Sequence, residues 1–322
     1  MNEPVTLPFR KFNLELLKKV RYLYEWEDYP KNPILEADKP GDWVADPTLV
    51  TPENSPDGLW HMFCCGGSGI KHYKSTDGIS WNYQGLVDPE GYSPYVFVED
   101  DSYYLFYHKG SWSREVRIVC RMSKDLKNWS ESYTILKGDL PWEQGLLGEP
   151  YVRNPCVVKV HDMYFLYYSA SYLLLPDTGY DEPVFIGVAI SEEGILGPYV
   201  KACEPIMRPN PCDPWRNFGC GAMKVYYYEE LNLLLGFENG MYIGKDSHTH
   251  SALHLLVSTD GITWFDSPYN PILKPEGDGW KKAFVYQCDV KRIKDRFYLY
   301  YNARDGWRDA TERIGLAICK LK

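Results

Sequence analysis

Asp46 lies in the stretch WVADPTLV, flanked by apolar residues and followed by Pro47. An ionised carboxylate buried in such a run needs compensation, either by capping the strand backbone or by a site that uses the charge. Glu149 in GLLGEPYVRNP, Glu238 in GFENG and Asp289 in YQCDVKRI are further carboxylates set beside apolar runs. Carboxyl groups held in different environments can divide acid and base work between them. Arg153 and Asn154, adjacent in YVRNP, add a planar fork for a hydroxyl or carboxylate and an amide that can both donate and accept. His108-Lys109 in YYLFYHKGSW and Arg304-Asp305 in YYNARDGW close aromatic runs with polar groups. His248 and His250 could touch a metal, but no third ligand stands near them in the chain, so no metal and no cofactor is expected. No Gly-rich phosphate loop and no defensible Ser-His-Asp spacing is present.

These residues sit in a diverged repeat. Helical periodicity is confined to Asn13–Tyr24, and four kinds of segment then recur in fixed order. The first follows a small or polar residue into an apolar run, as in ADPTLV, YSPYVF, RNPCVV, GCGAMKV and YQCDVKRI. The second is aromatic, as in YYLFYHKG and FYLYYNARDG; the third leads into a polar turn, most sharply in STDGISW and STDGITW; the fourth is a short exit such as GLVDP or NPILKP. Four strands repeated about five times predict an all-β fold, a five-bladed β-propeller of four-stranded antiparallel blades. The last repeat lacks its fourth segment, and YPKNPILEADKPGDW near the N-terminus echoes SPYNPILKPEGDGW. An N-terminal strand around Asn32–Leu35 is therefore expected to close the last blade and hide its edge. The whole chain, 1–322, reads as one propeller domain with residues 1–28 as an N-terminal extension. In such a ring the first strands line the centre, which singles out the residues heading them: Asp46, Ser93, Asn154, Cys220 and Gln287.

Composition narrows the function. With 44% hydrophobic and 25% charged residues the chain is no disordered polymer, and 16% aromatics suit packed β-structure or a sugar-stacking surface. A net charge of -9 without any Lys/Arg block argues against a nucleic-acid partner. No signal-like N-terminus and no long apolar run occurs, so a cytoplasmic protein with no membrane partner is expected. The nine Cys lack zinc-type spacing and read as reduced, mostly buried thiols. The insertion SYLLLPDTGYDEPVF, between the second and third strands of the third repeat, would form a lid or a subunit contact, which leaves a homo-oligomer open.

The NPIL lead-in, the Ala45-Asp46-Pro47 box, the five repeats and the aromatic second strands together resemble the five-bladed propeller glycosidases, especially family 43 and its invertase and levansucrase relatives. The resemblance spans nearly the whole chain as a pattern, while its specific motif is the Asp46 box. It implies a glycoside hydrolase acting on small arabinofuranosides, xylosides or fructosides, with Asp46 as general base, or as nucleophile in an invertase-like branch. Two departures stand out: Asn154 occupies the place of a second acidic residue, and GCGAMKV has no Glu where family 43 commonly supplies its acid. The acid must face Asp46 at about 5–5.5 Å for retention or about 6.5–9.5 Å for inversion. Glu149 is the first candidate and Glu238 the second, with Asp289 third. Arg153, His108, Asp289, Arg304 and Asp305 are the expected substrate-binding groups. A phosphorylase or transferase using Arg153, Lys109 and Arg304 for phosphate, or a non-catalytic sugar-binding propeller, are the alternatives.

Overall fold

The computed structural model describes residues 14–38, 41–110 and 114–321. The first thirteen residues of the expected N-terminal extension lie outside them. The helical segment is shorter than its periodicity predicts: an α-helix over Leu14–Lys19 gives way to a 3-10 turn over Arg21–Tyr24. Its stripe of Leu17, Val20 and Leu23 is buried against Leu233, Phe297 and neighbouring apolar residues, so packing holds a helix too short to persist alone.

Apart from three further one-turn 3-10 segments, the remaining regular structure is strand. A short β1 (Glu27–Asp28) precedes a first antiparallel sheet of β2 (Val44–Val50), β3 (Trp60–Gly66), β4 (Gly69–Ser75) and β5 (Asn82–Asp88). The second sheet holds β6 (Gly91–Glu99), β7 (Ser102–Lys109), β8 (Arg117–Ser123) and β9 (Tyr133–Leu136). In the third, β10 (Val152–Val160) and β11 (Met163–Ala170) are followed by an inserted hairpin, β12 (Leu173–Leu174) with β13 (Asp181–Glu182), before β14 (Phe185–Ser191) and β15 (Val200–Lys201). The remaining strands form one eight-stranded sheet made of two groups. One is β16 (Gly219–Tyr228), β17 (Leu233–Ile243), β18 (Thr249–Ser258) and β19 (Phe265–Asp266). The other is β20 (Phe284–Ile293), β21 (Arg296–Arg304) and β22 (Glu312–Lys320), with β1 on the outside of β22. A single parallel pairing, Ser251 with Phe284, joins the groups.

Fourth strands fade along the chain. Those of the third sheet and the β16 group shrink to two residues, each supplemented by an isolated bridge, Ile186 to Met207 and Leu253 to Leu273. The NPIL segment contributes similarly at the chain's start. Ile34 and Leu35 bond the Ile314 carbonyl, and the Asn32 amide both donates to and accepts from the backbone of Leu316. The inner strands contact one another in the order β2, β6, β10, β16, β20 and back to β2.

Each inner strand breaks its ladder at one equivalent place. The register shifts lie between Ala45 and Thr48, Tyr92 and Tyr95, Arg153 and Cys156, Cys220 and Met223, and Val285 and Cys288. In the first three the bulge is Asp46-Pro47, Ser93-Pro94 and Asn154-Pro155, where proline removes a ladder donor and the residue before it takes φ of 55°, 49° and 53°. Small polar side chains tolerate that left-handed geometry best. Each bulge turns a side chain out of the pleat, and the strand spacing delivers these side chains to a common centre.

Turns pin neighbouring sheets. In Ser75-Thr76-Asp77-Gly78 the Asp77 carboxylate accepts from Ile79 and Ser80 N–H at 2.8 Å, and Gly78 sits at φ 73°, where a Cβ would come within 2.7 Å of the Tyr300 hydroxyl. That hydroxyl donates to the Gly78 carbonyl at 3.0 Å from the β21 sheet. The Ser258–Gly261 turn repeats the device, with Tyr167 of the third sheet donating to Gly261 at 2.9 Å. Seven of the nine thiols are buried, while Cys203 and Cys212 are exposed.

Candidate active site

The bulges open into a cavity of about 360 Å³. Asp46, Ser93, Asn154, Gly221, Ala222, Tyr286 and Gln287, all bulge residues, line it. The Asp46 carboxylate accepts from Ser93 Oγ at 2.8 Å and from Cys65 Sγ at 3.1 Å, and its own N–H donates to Asn302 Oδ1 at 3.1 Å. Three neighbouring elements thus fix the direction in which it points.

Arg153 crosses to the inserted hairpin, donating to the Asp181 carboxylate at 3.1 Å and to the Asp181 carbonyl at 2.9 Å, with Glu182 Oε2 at 3.7 Å. Tyr151 donates to the same Asp181 carboxylate. Burial raises the Asp181 pKa, but Arg153 and Tyr151 outweigh it and the group ends below its usual value. Glu182 goes the other way: burial pushes it up to about 7, against the pull of Arg153 and with a further push from Asp181. Glu312, at the start of β22, is raised by burial to about 8, with Arg304 opposing and Asp46 adding repulsion. Its carboxyl accepts from Asn302 Nδ2. The cavity therefore holds carboxyl groups pushed apart in acidity, the condition for separate acid and base roles.

Several buried polar atoms here have no hydrogen-bond partner among the described residues: both side-chain amide atoms of Gln287, Nδ1 of His108, and Nε of Arg153 and Arg304. Burial and Arg153 together push His108 down to about 3, so its imidazole is neutral. Gln287 is only 4% exposed, and a buried amide without partners is costly unless a ligand completes it. Arg304 lies over the Tyr180 ring, 4.6 Å from its centroid, so the hairpin tip meets the β21 strand across the opening. Trp43 and Tyr92 stack along another part of the wall, at 6.1 Å between centroids.

Of the residues expected from sequence, the structure brings Asp46, Ser93, Asn154, Gln287, Arg153, His108 and Arg304 to this cavity. Asn154 spends its amide donor on Ser169 Oγ at 3.1 Å. The others lie elsewhere. Glu149 accepts from the Tyr172 hydroxyl at 2.9 Å and from Leu147 N–H at 3.0 Å, outside the cavity wall. Glu238 is fully enclosed within β17, paired with His254 at 3.2 Å, because the β16 bulge ends before its partner Met223. Asp289 sits past the β20 bulge and faces a second cavity of about 310 Å³, where it accepts from Leu49 N–H at 2.7 Å. Asp305 binds Arg313 at 2.8 Å and Thr311 N–H at 2.8 Å rather than Arg304. Cys220 is buried in the β16 ladder, so Gly221 and Ala222 take its expected place. Lys109 pairs with Asp88 at 3.0 Å, away from the cavity. His248 and His250 lie near Asp177 and Asp246, and among the described residues no group of three His, Cys, Asp or Glu could hold a metal ion.

Sequence reasoning passed over Asp181, Glu182 and Glu312. The first two belong to the insertion SYLLLPDTGYDEPVF, read as a lid or a subunit contact, whose acidic residues are the signal available. Glu312 begins a third strand and carries no local mark. The missing fourth-sheet Glu has a steric counterpart, since a Cβ at Gly221 would lie 2.0 Å from Asn239 Nδ2.

No protein-family model and no curated protein matches the chain. Solved structures do. The catalytic domain of the Coprinopsis cinerea GH62 α-L-arabinofuranosidase superposes with a TM-score of 0.66 at 16% identity, covering 91% of this chain and 96% of that one. A thermostable family-43 glycoside hydrolase gives 0.63 at 14% identity over 88% and 91%. A GH130 structure, described as from a family of mannoside phosphorylases containing hydrolases that target β-1,2-mannosidic linkages in Candida mannan, gives 0.61 at 15% over 91% and 93%. The chain shares the fold of these propeller-type glycoside hydrolases.

Proposed function

We propose that this protein is a five-bladed propeller glycosidase that cleaves small glycosides in the central cavity. The β16 and β20 groups are its fourth and fifth blades, and the N-terminal segment completes the ring. The observation that carries the reading is the cavity itself, where Asp46 shares one small space with carboxyl groups of raised pKa and with polar atoms that lack partners among the described residues. Asp46, held by Ser93 and Cys65, is the base that activates the attacking water. Gln287, His108 and Arg304 offer hydrogen bonds to sugar hydroxyls, and the aromatic walls suit a pyranose or furanose face. A volume of about 360 Å³ suits one terminal sugar, hence exo action on arabinofuranosides, xylosides or fructosides.

The test is a panel of nitrophenyl pentosides and hexosides and short oligosaccharides, assayed with and without phosphate. The reading expects turnover that does not need phosphate, since Arg153 is already held by Asp181. Turnover only with phosphate would make the protein a phosphorylase. Silence throughout, with sugars still binding in a calorimeter, would leave a binding propeller.

A further inference from the structure

We propose that Glu182, carried on the hairpin inserted into the third sheet, is the proton donor to the departing glycosidic oxygen, and that it serves in place of an acid on β16. The inference rests on the glycosidase reading above. It starts from placement. Pro183 and Val184, directly after Glu182, run along the start of β16: Cys220 N–H donates to the Val184 carbonyl at 3.1 Å, and the Pro183 carbonyl lies 2.8 Å from where a Gly219 Cβ would be. Glu182 is thereby fixed at the junction of the third and fourth blades. In a ring of five that junction lies opposite the first blade, which carries Asp46.

Glu312 stands on the wrong side for this task. Its backbone bridges to Trp43, its N–H donates to the Asp42 carbonyl at 3.2 Å, and its carboxyl shares Asn302 with the Asp46 N–H. It belongs to the wall that holds Asp46 and positions that wall. Asp181, the other carboxylate of the hairpin, is occupied by Arg153 and Tyr151. Glu182 keeps looser bonds, with Arg153 at 3.7 Å and a contact to the Tyr286 hydroxyl, and its side chain remains 17% exposed to the cavity. A pKa near 7 leaves a large protonated fraction at neutral pH.

The step balances as follows. The anomeric C–O bond breaks as the Glu182 proton passes to the leaving oxygen; water oxygen bonds the anomeric carbon and yields its proton to Asp46. Solvent exchange then returns a proton to Glu182 and removes one from Asp46.

The experiment compares Glu182→Gln and Glu312→Gln with the parent on a dinitrophenyl glycoside and on an oligosaccharide of the same sugar, across pH 5–9. A dinitrophenolate departs without a proton, whereas a sugar alkoxide needs one. Glu182→Gln is expected to lose about 10²–10⁴-fold in kcat on the oligosaccharide and under about 10-fold on the dinitrophenyl substrate. It should also lose the fall in kcat/KM above about pH 7. Equal loss on both leaving groups, or a retained alkaline limb, overturns the assignment while leaving the glycosidase reading intact if Asp46→Asn is inactive. The same selective loss in Glu312→Gln instead moves the acid to that residue and overturns it too. A parent inactive on every glycoside overturns both readings.

Discussion

Gln287 carries open hydrogen-bonding capacity into the cavity. Both of its amide atoms are buried without partners among the described residues, an arrangement that costs stability in the free protein and, on the proposed function, returns binding when a hydroxyl arrives. Gln287→Leu is therefore expected to raise KM about 10-fold or more while leaving the melting temperature unchanged or higher; a clear loss of stability with unchanged KM would contradict this. Arg153 differs, because its charge holds Asp181 and so the hairpin. Arg153→Met leaves Asp181 buried without its counter-charge, and a destabilisation of about 3 kcal/mol is expected in urea titrations. The same change brings no gain in phosphate dependence, because the guanidinium serves the hairpin.

Among the elements, the bulged inner strands carry the design. Gly221→Ala tests the crowding at β16: the added Cβ would meet Asn239 at 2.0 Å, and a loss of about 1–3 kcal/mol is expected by denaturant titration. Tyr300→Phe removes one inter-sheet bond to the Gly78 carbonyl and should cost about 1 kcal/mol. The same strands explain what could be read from sequence. Where proline marks the bulge, at Asp46, Ser93 and Asn154, the residue expected to head the strand lines the cavity. In β16 and β20 no proline marks it; the heading residue of β16 was misplaced by one, at Cys220 instead of Gly221, and in β20 Tyr286 was passed over beside Gln287. Turn chemistry and aromatic runs made the four-strand repeat visible, because both depend on local geometry. Glu182 and Glu312 were not visible, since an insertion and a third-strand start reach the centre only through tertiary packing. Glu149 and Glu238 looked plausible by sequence distance, and the fold spends both on local partners.

For the whole molecule, burying Glu182 and Glu312 couples the site to stability. Both are raised above their ordinary value of 4.5, to about 7 and about 8. Between 4.5 and those values the folded state binds more protons than the unfolded one, so stability declines as pH rises through the window. The parent should be more stable at pH 5 than at pH 8.5 from this source. Glu182→Gln combined with Glu312→Gln should flatten the decline by on the order of 6 kcal/mol, read from urea midpoints at the two pH values. An unchanged slope would show that these groups are not buried as described. The proline-marked bulges meet at the cavity, while the outer strands and the tyrosine pins keep the sheets in register around it.

The most direct measurement of the central claim is the release of free sugar from the glycoside panel by the parent and by Asp46→Asn, with circular dichroism confirming equal folding. Among the described residues the Asp46 carboxylate accepts hydrogen bonds from Ser93 and Cys65, and an amide of the same shape at this position should keep the site's geometry. The account predicts cleavage by the parent and a loss of about 10³-fold or more in the variant, with sugar affinity largely retained. Equal cleavage by both proteins, or cleavage by neither, would contradict it.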